Sequence, residues 1–478
     1  MRPRITQTVL LVMTLALVGC GSSSATNQAP PLVFPTTVPT AAGPSGPAPL
    51  SVYLSSANFQ GGSENFVAAL DAASGRLRWN YTAKDQVEHP VKVYQGMVYI
   101  GAADHKLYAL DAGSGSVRWS YDLGSGIPAF AAADGGVIYA FSYQTSSSQS
   151  APSFTYALRA SDGSVQWRSA VQGEITLGDG VVYIAASDGI YALKASDGTV
   201  QWHTAIAGYI NTIQNNILYV TAADQDVYAL NASDGSVRWK FQPAYPAMVQ
   251  QIADGTVYLL ASPEGPNGSD PNSILYALNT STGARRWQYP NGNDLENVQW
   301  IGAANGVAYL FTSVNEQFHL SRLVLAFNAS SGAVQWRYQL SSQAASIQTA
   351  TLDNGVVYLE NSDGTLDALG ASDGAVRWQT QVGNITPFIA LIDNGVIYTA
   401  LASGSITAVI ASNGTILWHY QPDTTVEVLK ASSGLLYLYT PPFGGPEVSN
   451  QVYALKISDG ALFWRYNVGT TPFFAVLA

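Results

Sequence analysis

One eleven-residue phrase recurs along this chain and constrains its fold more than any other feature. It reads ALRASDGSVQW at 157–167, ALKASDGTVQW at 192–202 and ALNASDGSVRW at 229–239. Alignment on the final tryptophan gives ten copies, with neighbouring tryptophans 35 residues (167 to 202) to 49 residues (287 to 336) apart. The repeated tryptophans are Trp79, Trp119, Trp167, Trp202, Trp239, Trp287, Trp336, Trp378, Trp418 and Trp464, and only Trp300 stands outside the series.

A period of this length is typical of the four-stranded blades of a β-propeller. Within one unit, residues 382–420, an Asp-Asn-Gly turn and a Ser-Asn-Gly turn separate short apolar runs. Such turns favour hairpins because glycine adopts positive φ without strain. The unit therefore predicts four antiparallel strands, near 386–392, 396–402, 406–410 and 415–420.

The composition agrees with an all-β fold that does not bind nucleic acid. Hydrophobic residues make up 47% of the chain and charged residues 11%, with 27 Tyr and 44 Gly. Aromatic residues and glycines in these numbers suit many short strands joined by tight turns. The net charge is −11, and no run of Lys or Arg is present to attract a phosphate backbone.

The fourth strand of each unit is predicted to have one packed face and one exposed face. In one copy we expect Val200, Trp202 and Thr204 to share the packed face, with Gln201 and His203 outward. Ten tryptophans at one structural position indicate that each docks its outer strand against the next sheet. The preceding residue is Arg or Gln in eight copies, which suits a solvated edge strand, and Leu417 and Phe463 are the exceptions.

The two chain ends are predicted to complete one ring. The first folded segment, residues 50–55, matches a second strand such as 180–185, so the first unit lacks its innermost strand. The last residues, 470–478, match the innermost strand at 386–391. We therefore expect a single closed β-propeller of ten four-stranded antiparallel blades over residues 50–478, sealed by pairing of the terminal strands.

The N-terminus predicts a lipoprotein. Arg2 and Arg4 precede a short apolar run at 9–18, and Leu-Val-Gly leads into Cys20, the one cysteine of the chain. This arrangement resembles the lipobox of bacterial lipoproteins, which implies cleavage after residue 19 and lipidation of the Cys20 thiol. An ordinary signal peptide is the alternative. Residues 20–49, rich in Pro, Ser and Thr, are expected to form an extended tether.

The repeated phrase resembles the repeat of pyrroloquinoline-quinone (PQQ)-type propellers, whose units carry A-L-D-A-x-T-G-x-x-x-W. The copies at 70–79 and 109–119 keep the aspartate of that pattern. The resemblance spans residues 50–478 and implies a propeller, for which eight blades is the family norm. It also implies several functions, because the family includes quinoprotein dehydrogenases, the lipoprotein subunit of the outer-membrane β-barrel assembly machinery and extracellular sensors.

The chemistry of the quinoprotein dehydrogenases is not matched by this sequence. Those enzymes use a bridged pair of adjacent cysteines, a calcium site of Glu, Asn and Asp, and a catalytic Asp. No cysteine follows Cys20, and no carboxylate can be aligned with the calcium ligands. We accordingly assign no catalytic, cofactor-binding or metal-binding residue and expect no cofactor.

Other catalytic or metal-binding patterns are also missing from the sequence. The five histidines have neither H-x-H nor H-x₃-H spacing, so we interpret them as surface residues. The SDG and DNG strings lack the spacing of a calcium loop and are interpreted as turns. The histidines are His89, His105, His203, His319 and His419.

Long loops are predicted on only one face of the ring, which we call the long-loop face. It carries the connections between second and third strands and the connections between blades. Four of these loops are long, at 143–154, 262–273, 313–322 and 440–451, whereas the opposite face has only short turns. Such one-sided variation favours a binding surface, although plain solvated loops are the alternative. The blade connections add the carboxylates Asp85, Glu88, Asp294, Glu296, Asp423 and Glu427.

These features favour a lipid-anchored, non-catalytic propeller at the outer face of a membrane of the bacterial cell envelope. We expect a monomeric scaffold or recognition module that binds a protein or extracellular polymer through the long-loop face. A quinone-binding oxidoreductase and a ligand-sensing propeller are the alternatives.

Overall fold

The computed structural model describes most of the chain from residue 50 onward, and every strand in it is antiparallel. The described ranges are 50–56, 65–87, 90–124, 127–143, 154–263, 273–289, 295–316, 319–340, 347–384, 387–401, 404–441, 450–469, 471 and 473–478. Within them, forty strands form ten four-stranded sheets, so the all-β fold and the ten blades are confirmed. Cys20 and the tether lie outside the described residues.

In blades 2 to 10 the innermost strand comes first in the sequence, and the innermost strands of several neighbouring blades contact one another. From blade 1 to blade 10 the innermost strands are β40 (Phe473–Leu477), β4 (Lys92–Tyr94), β8 (Ile127–Asp134), β12 (Glu174–Gly178), β16 (Gly208–Gln214), β20 (Ala247–Ala253), β24 (Leu295–Ala304), β28 (Ile347–Asp353), β32 (Pro387–Asp393) and β36 (Glu427–Ser432). The second strands are β1 (Ser51–Ser56), β5 (Met97–Gly101), β9 (Val137–Tyr143), β13 (Val181–Ala186), β17 (Ile217–Ala222), β21 (Thr256–Ala261), β25 (Val307–Glu316), β29 (Val356–Asn361), β33 (Val396–Leu401) and β37 (Leu435–Tyr439).

The two outer strands of each blade follow in the same order. The third strands are β2 (Phe66–Asp71), β6 (Lys106–Asp111), β10 (Thr155–Arg159), β14 (Gly189–Lys194), β18 (Val227–Asn231), β22 (Ile274–Asn279), β26 (His319–Asn328), β30 (Thr365–Gly370), β34 (Ile406–Ile410) and β38 (Asn450–Lys456). The fourth, outermost strands are β3 (Leu77–Thr82), β7 (Val117–Asp122), β11 (Val165–Ser169), β15 (Val200–Thr204), β19 (Val237–Phe241), β23 (Arg285–Tyr289), β27 (Val334–Gln339), β31 (Val376–Gln381), β35 (Ile416–Tyr420) and β39 (Leu462–Gly469).

The chain termini close the ring as predicted. The C-terminal β40 pairs antiparallel with the N-terminal β1, with Val52 opposite Leu477 and Ser56 opposite Phe473. The order of the first sheet is β3-β2-β1-β40, so the last strand of the chain is the innermost strand of the first blade. This pairing removes an open sheet edge at the position where the chain begins and ends.

The core lies between blades. The buried apolar residues of the described chain form ten clusters, and each cluster joins the facing sides of two neighbouring blades. Strands β13 and β17 are buried almost throughout because each is covered by a sheet on both sides. The cluster that joins blade 10 to blade 1 includes Val52, Trp464 and Phe473.

The repeated tryptophan of each blade reaches the next blade. Every indole is only 5–9% exposed and donates a hydrogen bond of 2.8–3.0 Å from Nε1 to a backbone carbonyl of the following blade. Trp167 donates to Ala195 and Trp202 donates to Ala232. The tenth, Trp464, donates to Ala72 of the first blade.

The glycine of the repeated phrase lies directly under the tryptophan of the preceding blade. At Gly198 the backbone has a φ of +72°, and a Cβ built there would lie 2.6 Å from the Trp167 ring. Only glycine tolerates both the conformation and the contact. The phrase ALKASDGTVQW therefore makes contacts with both neighbouring blades. Ala195 and Gly198 contact the Trp167 indole of the preceding blade, and the Trp202 indole donates a hydrogen bond to the following blade.

A second repeated aromatic residue, which the sequence analysis did not single out, supports each tryptophan. A tyrosine in every second strand lies 5.8–6.1 Å, between ring centroids, from the tryptophan of its own blade. Tyr183 also donates its hydroxyl to the Ala232 carbonyl at 3.1 Å, the same oxygen that accepts the Trp202 indole. In the sequence, this tyrosine could have been recognised because it recurs directly after an apolar residue in each second strand.

The expected two-sided alternation of the fourth strands was wrong at one position. Val200 is 50% exposed and does not share the packed face with Trp202. In β14 and β15, Ala192 pairs with Trp202 but Leu193 pairs with Val200, which leaves Gln201 as an extra residue. This bulge reverses the direction of the side chain that precedes it, Val200, so simple period-two reasoning fails there.

The long segment 313–322 is also not the loop that we expected. Its backbone continues the hairpin of β25 and β26, with Ser313 opposite Arg322 and Glu316 opposite His319. Continued pairing satisfies the backbone N–H and C=O groups of a polar segment that has no apolar pattern.

Candidate functional site

The predicted acidic surface is only partly described, and its described carboxylates already have local partners. Asp423 pairs with Arg465 at 3.1 Å, and Glu427 accepts the Tyr439 hydroxyl at 2.8 Å. Burial, together with the nearby Glu427 carboxylate, raises the pKa of Tyr439. Asp85 accepts the backbone N–H of Gln86.

The remaining predicted carboxylates, Glu88 and Asp294, and the side chain of Glu296 lie outside the described residues. Most of the long-loop residues also lie outside the described residues, namely 144–153, 264–272 and 442–449. Of the predicted carboxylates, the structure therefore describes the side chains of Asp85, Asp423 and Glu427, and the rest of the acidic surface remains a prediction.

A further set of carboxylates on the long-loop face was missed in the sequence. The turns between second and third strands carry Asp104, Asp188 and Asp224, and each accepts the hydroxyl of a tyrosine in the following strand. The sequence signal was the recurrence of Asp three or four residues before the Tyr of the repeated phrase. These bonds fix the turns of blades 2, 4 and 5.

In blade 5 the side chain of Lys240 packs against the turn between the second and third strands. The Lys240 ammonium contacts the carboxylates of Asp226, at 2.5 Å, and Asp224, at 3.3 Å, and lies 5.1 Å from the centre of the Tyr228 ring. Hydrogen bonding to the Asp226 carboxylate, then to the Tyr228 side chain and the Asp224 carboxylate, favours the protonated amine and raises the pKa of Lys240. Asp226 is only 4% exposed, so the ammonium compensates a nearly buried negative charge.

Aromatic side chains are exposed on the innermost strands. Tyr209, the second residue of β16, is 69% exposed, and Phe388, the second residue of β32, is 41% exposed. These strands begin on the long-loop face, so both rings lie at that mouth of the central opening. Exposed aromatic residues of this kind are enriched in binding surfaces.

Blade 8 contains buried acidic groups. Glu360 of β29 is fully buried, and Asn361 and Asp367 are each 1% exposed. Asp367 accepts the Tyr338 hydroxyl of blade 7 at 3.1 Å, whereas Glu360 accepts the Ile389 N–H of blade 9 at 2.6 Å. The two carboxylates thus face opposite neighbours. Burial is the main cause that raises the pKa of both groups, to about 7 for Glu360.

The sequence contained a signal for this pair that we did not use. Glu360 stands where other second strands carry Ala185, Leu260 or Ala400, and Asp367 replaces the tyrosine of the repeated phrase. A charged residue in a strand that is covered on both faces is a departure from the repeat and marks a position with a specific partner.

The described histidines do not come together. His203 stacks on Tyr191 with ring centroids 4.0 Å apart, and His419 contacts the Thr407 hydroxyl at 2.9 Å. His105 lies in an exposed turn, and the side chains of His89 and His319 are not described. Among the described residues, no group of three or more His, Cys, Asp or Glu side chains is arranged to hold a metal ion. The described part of the chain also has no helix long and apolar enough to cross a membrane.

A protein-family model described as "Outer membrane protein assembly factor BamB" matches residues 39–167, 153–317 and 302–433. The chain belongs to this BamB-type family. The match confirms the predicted PQQ-type repeat and takes in most of the ring. No curated protein sequence matches the chain.

Among solved structures, a eukaryotic initiation factor aligns with a TM-score of 0.54 at 10% identity, covering 90% of this BamB-type chain and 98% of that chain. At this identity the likeness shows the fold alone. BamB from Moraxella catarrhalis aligns at 15% identity, with a TM-score of 0.29 over 83% of this chain and 89% of its own. A europium-containing methanol dehydrogenase aligns at 13% identity, with a TM-score of 0.38 over 75% of this chain and 81% of its own.

Proposed function

We propose that this protein is a lipid-anchored, non-catalytic propeller of the bacterial cell envelope that binds a protein partner through its long-loop face. The observation that carries the proposal is the one-sided variation of the ring. The long connections occur on one face, whereas the turns between third and fourth strands repeat one short form around the opposite face.

Membership of a family described as an outer membrane protein assembly factor supports an envelope location and a protein partner. The lipobox at Cys20 supports anchorage, and the tether of residues 20–49 would separate the ring from the membrane. Exposed Tyr209 and Phe388 supply aromatic contact area at the mouth of the ring on the same face.

The binding proposal is tested by exchanging loops. Each of the long segments 143–154, 262–273 and 440–451 is replaced by a four-residue turn taken from blade 4, and crosslinked partners are captured from the cell envelope. We expect the partners of the wild-type protein to be lost. A matched variant with altered turns on the opposite face should retain them, and partners that persist after the loop exchange would refute the proposal.

The anchorage proposal has a separate test. Cys20→Ala should move the protein from the membrane fraction to the soluble fraction of the envelope, and Cys20→Ser is the matched conservative variant. Continued membrane association of both variants would exclude the lipid anchor without bearing on the binding face.

The enzymatic alternative is tested on the soluble domain with pyrroloquinoline quinone and Ca²⁺. We expect no increase in Tm and no dye-coupled oxidation of alcohols. Saturable binding that is accompanied by turnover would replace the scaffold proposal with an oxidoreductase.

A further inference from the structure

Glu360 joins two blades through a single hydrogen bond. Its Oε1 accepts the backbone N–H of Ile389 in β32, the innermost strand of the following blade, at 2.6 Å. Because β32 is an edge strand, some of its N–H groups have no partner within its own sheet. Glu360 supplies an acceptor for one of them and thereby connects blade 8 to blade 9 near the long-loop face.

The other carboxylate oxygen of Glu360 lacks a partner. The side chain is fully buried, and Oε2 has no donor in hydrogen-bonding geometry, although the nearby Thr349 hydroxyl favours the charged form. A buried carboxylate with an unsatisfied oxygen costs little free energy when protonated and considerably more when ionised.

No cation from the described strands around Glu360 compensates its charge. The strands packed around Glu360 are β28, β30, β32 and β33, and their titratable side chains are Asp353, Asp367, Asp393 and Tyr398. Asp353 and Asp393 lie at the far ends of their strands, and Asp367 faces blade 7. Tyr358, on the same strand and face as Glu360, donates its hydroxyl to Ala411. None of these groups carries a positive charge.

A neutral counterpart of this connection occurs elsewhere in the ring. Between blades 6 and 7, the Gln251 amide donates to the Ala303 carbonyl at 2.9 Å and accepts the Ala303 N–H at 2.8 Å. That amide satisfies both of its ends and cannot ionise. Blades 6 and 7 are therefore connected by a neutral amide, whereas blades 8 and 9 are connected by a titratable carboxyl group.

From this geometry we propose that Glu360 is a pH-sensitive latch between blades 8 and 9. When the carboxyl group is protonated, the interface is closed and β32 is protected. When it is ionised, the uncompensated charge favours states in which water reaches the carboxylate and the Ile389 hydrogen bond is broken. The mouth of the ring beside the exposed Phe388 then opens more often.

Hydrogen exchange on the full chain tests the latch. Protection of the β32 amides is measured between pH 5.5 and 8.5 after correction for intrinsic exchange rates. In the wild type we expect protection to fall by about tenfold or more across neutral pH, since one unit of pKa shift corresponds to a tenfold change in equilibrium. Glu360→Gln should make the protection independent of pH.

Two controls separate the latch from general loosening of the ring. The β24 amides beside Gln251 should keep constant protection over the same range. Asp367→Asn, which removes the buried acid on the opposite face of blade 8, should leave the pH dependence at β32 intact. If Glu360→Gln folds poorly, Glu360→Thr serves instead, because blade 5 carries Thr221 at this position. Constant protection in the wild type, or equal pH dependence in the neutral variants, would overturn the proposal.

Discussion

The indole of Trp464 donates a hydrogen bond from Nε1 to the carbonyl oxygen of Ala72, 3.0 Å away and 392 residues earlier in the chain. The hydroxyl of Tyr437 reaches the same oxygen at 3.2 Å. The other nine repeated tryptophans make this bond to a following blade only 28 to 42 residues away. The interface between blade 10 and blade 1 is thus built like the interfaces between blades that are consecutive in the sequence, with the same indole hydrogen bond at Trp464.

We predict that Trp202→Ala lowers the free energy of unfolding by about 3–5 kcal/mol, because a buried indole and its packing against Gly235 are lost. Urea unfolding followed by far-UV circular dichroism measures the change. Val200→Ala, on the same strand but 50% exposed, should stay within about 0.5 kcal/mol of the wild type. Equal losses in the two variants would contradict a docking role for the indole.

We predict that Gly198→Ala is far more damaging than Gly180→Ala. Both glycines have positive φ, at +72° and +78°, so both substitutions introduce backbone strain of about 1–2 kcal/mol. Only at Gly198 would the new Cβ lie 2.6 Å from the Trp167 ring, whereas nothing lies within 4 Å at Gly180. The clash should add about 1–3 kcal/mol, measured as the difference between two urea titrations. Similar losses would mean that the indole moves aside freely.

We predict that deleting residues 473–478 lowers the free energy of unfolding by at least about 5 kcal/mol. The deletion removes the buried side chains of Phe473 and Leu477, each worth about 2–5 kcal/mol, and exposes the edge of β1. A synthetic FFAVLA peptide, added in excess, should raise the Tm of the truncated protein, and a scrambled peptide should not. An unchanged Tm after the deletion would show that the ring does not depend on terminal pairing.

We predict that stability falls with rising pH because of Glu360. Its pKa is about 7 in the folded protein against an ordinary value of 4.5, so the folded state binds the proton more tightly than the unfolded state. The contribution is fully present below pH 4.5 and is lost as the pH rises to 7, by up to about 3 kcal/mol at 1.36 kcal/mol for each unit. Urea titrations of the wild type and Glu360→Gln from pH 4.5 to 8 should agree best at the low-pH end and diverge as the pH rises, because only the wild-type free energy of unfolding falls. Parallel curves would exclude this linkage.

The repeated phrase alone established most of the fold. Gly and Asp in the turns, short apolar runs and a period near that of a blade are local properties, and they predicted the strands of residues 387–420 nearly to the residue. The unmatched second strand at one end and the extra first strand at the other predicted that the two terminal strands pair, and the structure has Val52 opposite Leu477. These features could be predicted because each depends on neighbours in sequence or on the completion of a repeated unit.

The site was less accessible to sequence reasoning. The sequence marked Asp423 and Glu427 as acidic, but only the structure gives them Arg465 and Tyr439 as partners. The bulge that exposes Val200 depends on the register between two strands, and the long hairpin at 313–322 depends on backbone pairing that polar residues permit but do not encode.

By itself, the sequence determined that ten similar units would each form a sheet and that the two ends would share one blade, because turn geometry and hydrophobic patterning act over a few residues. Only the tertiary structure decided that Ala195 and Gly198 receive one indole while Trp202 of the same phrase enters the next blade. It also decided that the Glu360 carboxylate accepts the Ile389 N–H across the interface between blades 8 and 9. Such contacts are set by how neighbouring sheets pack around a closed ring, and that packing joins groups that no local pattern connects.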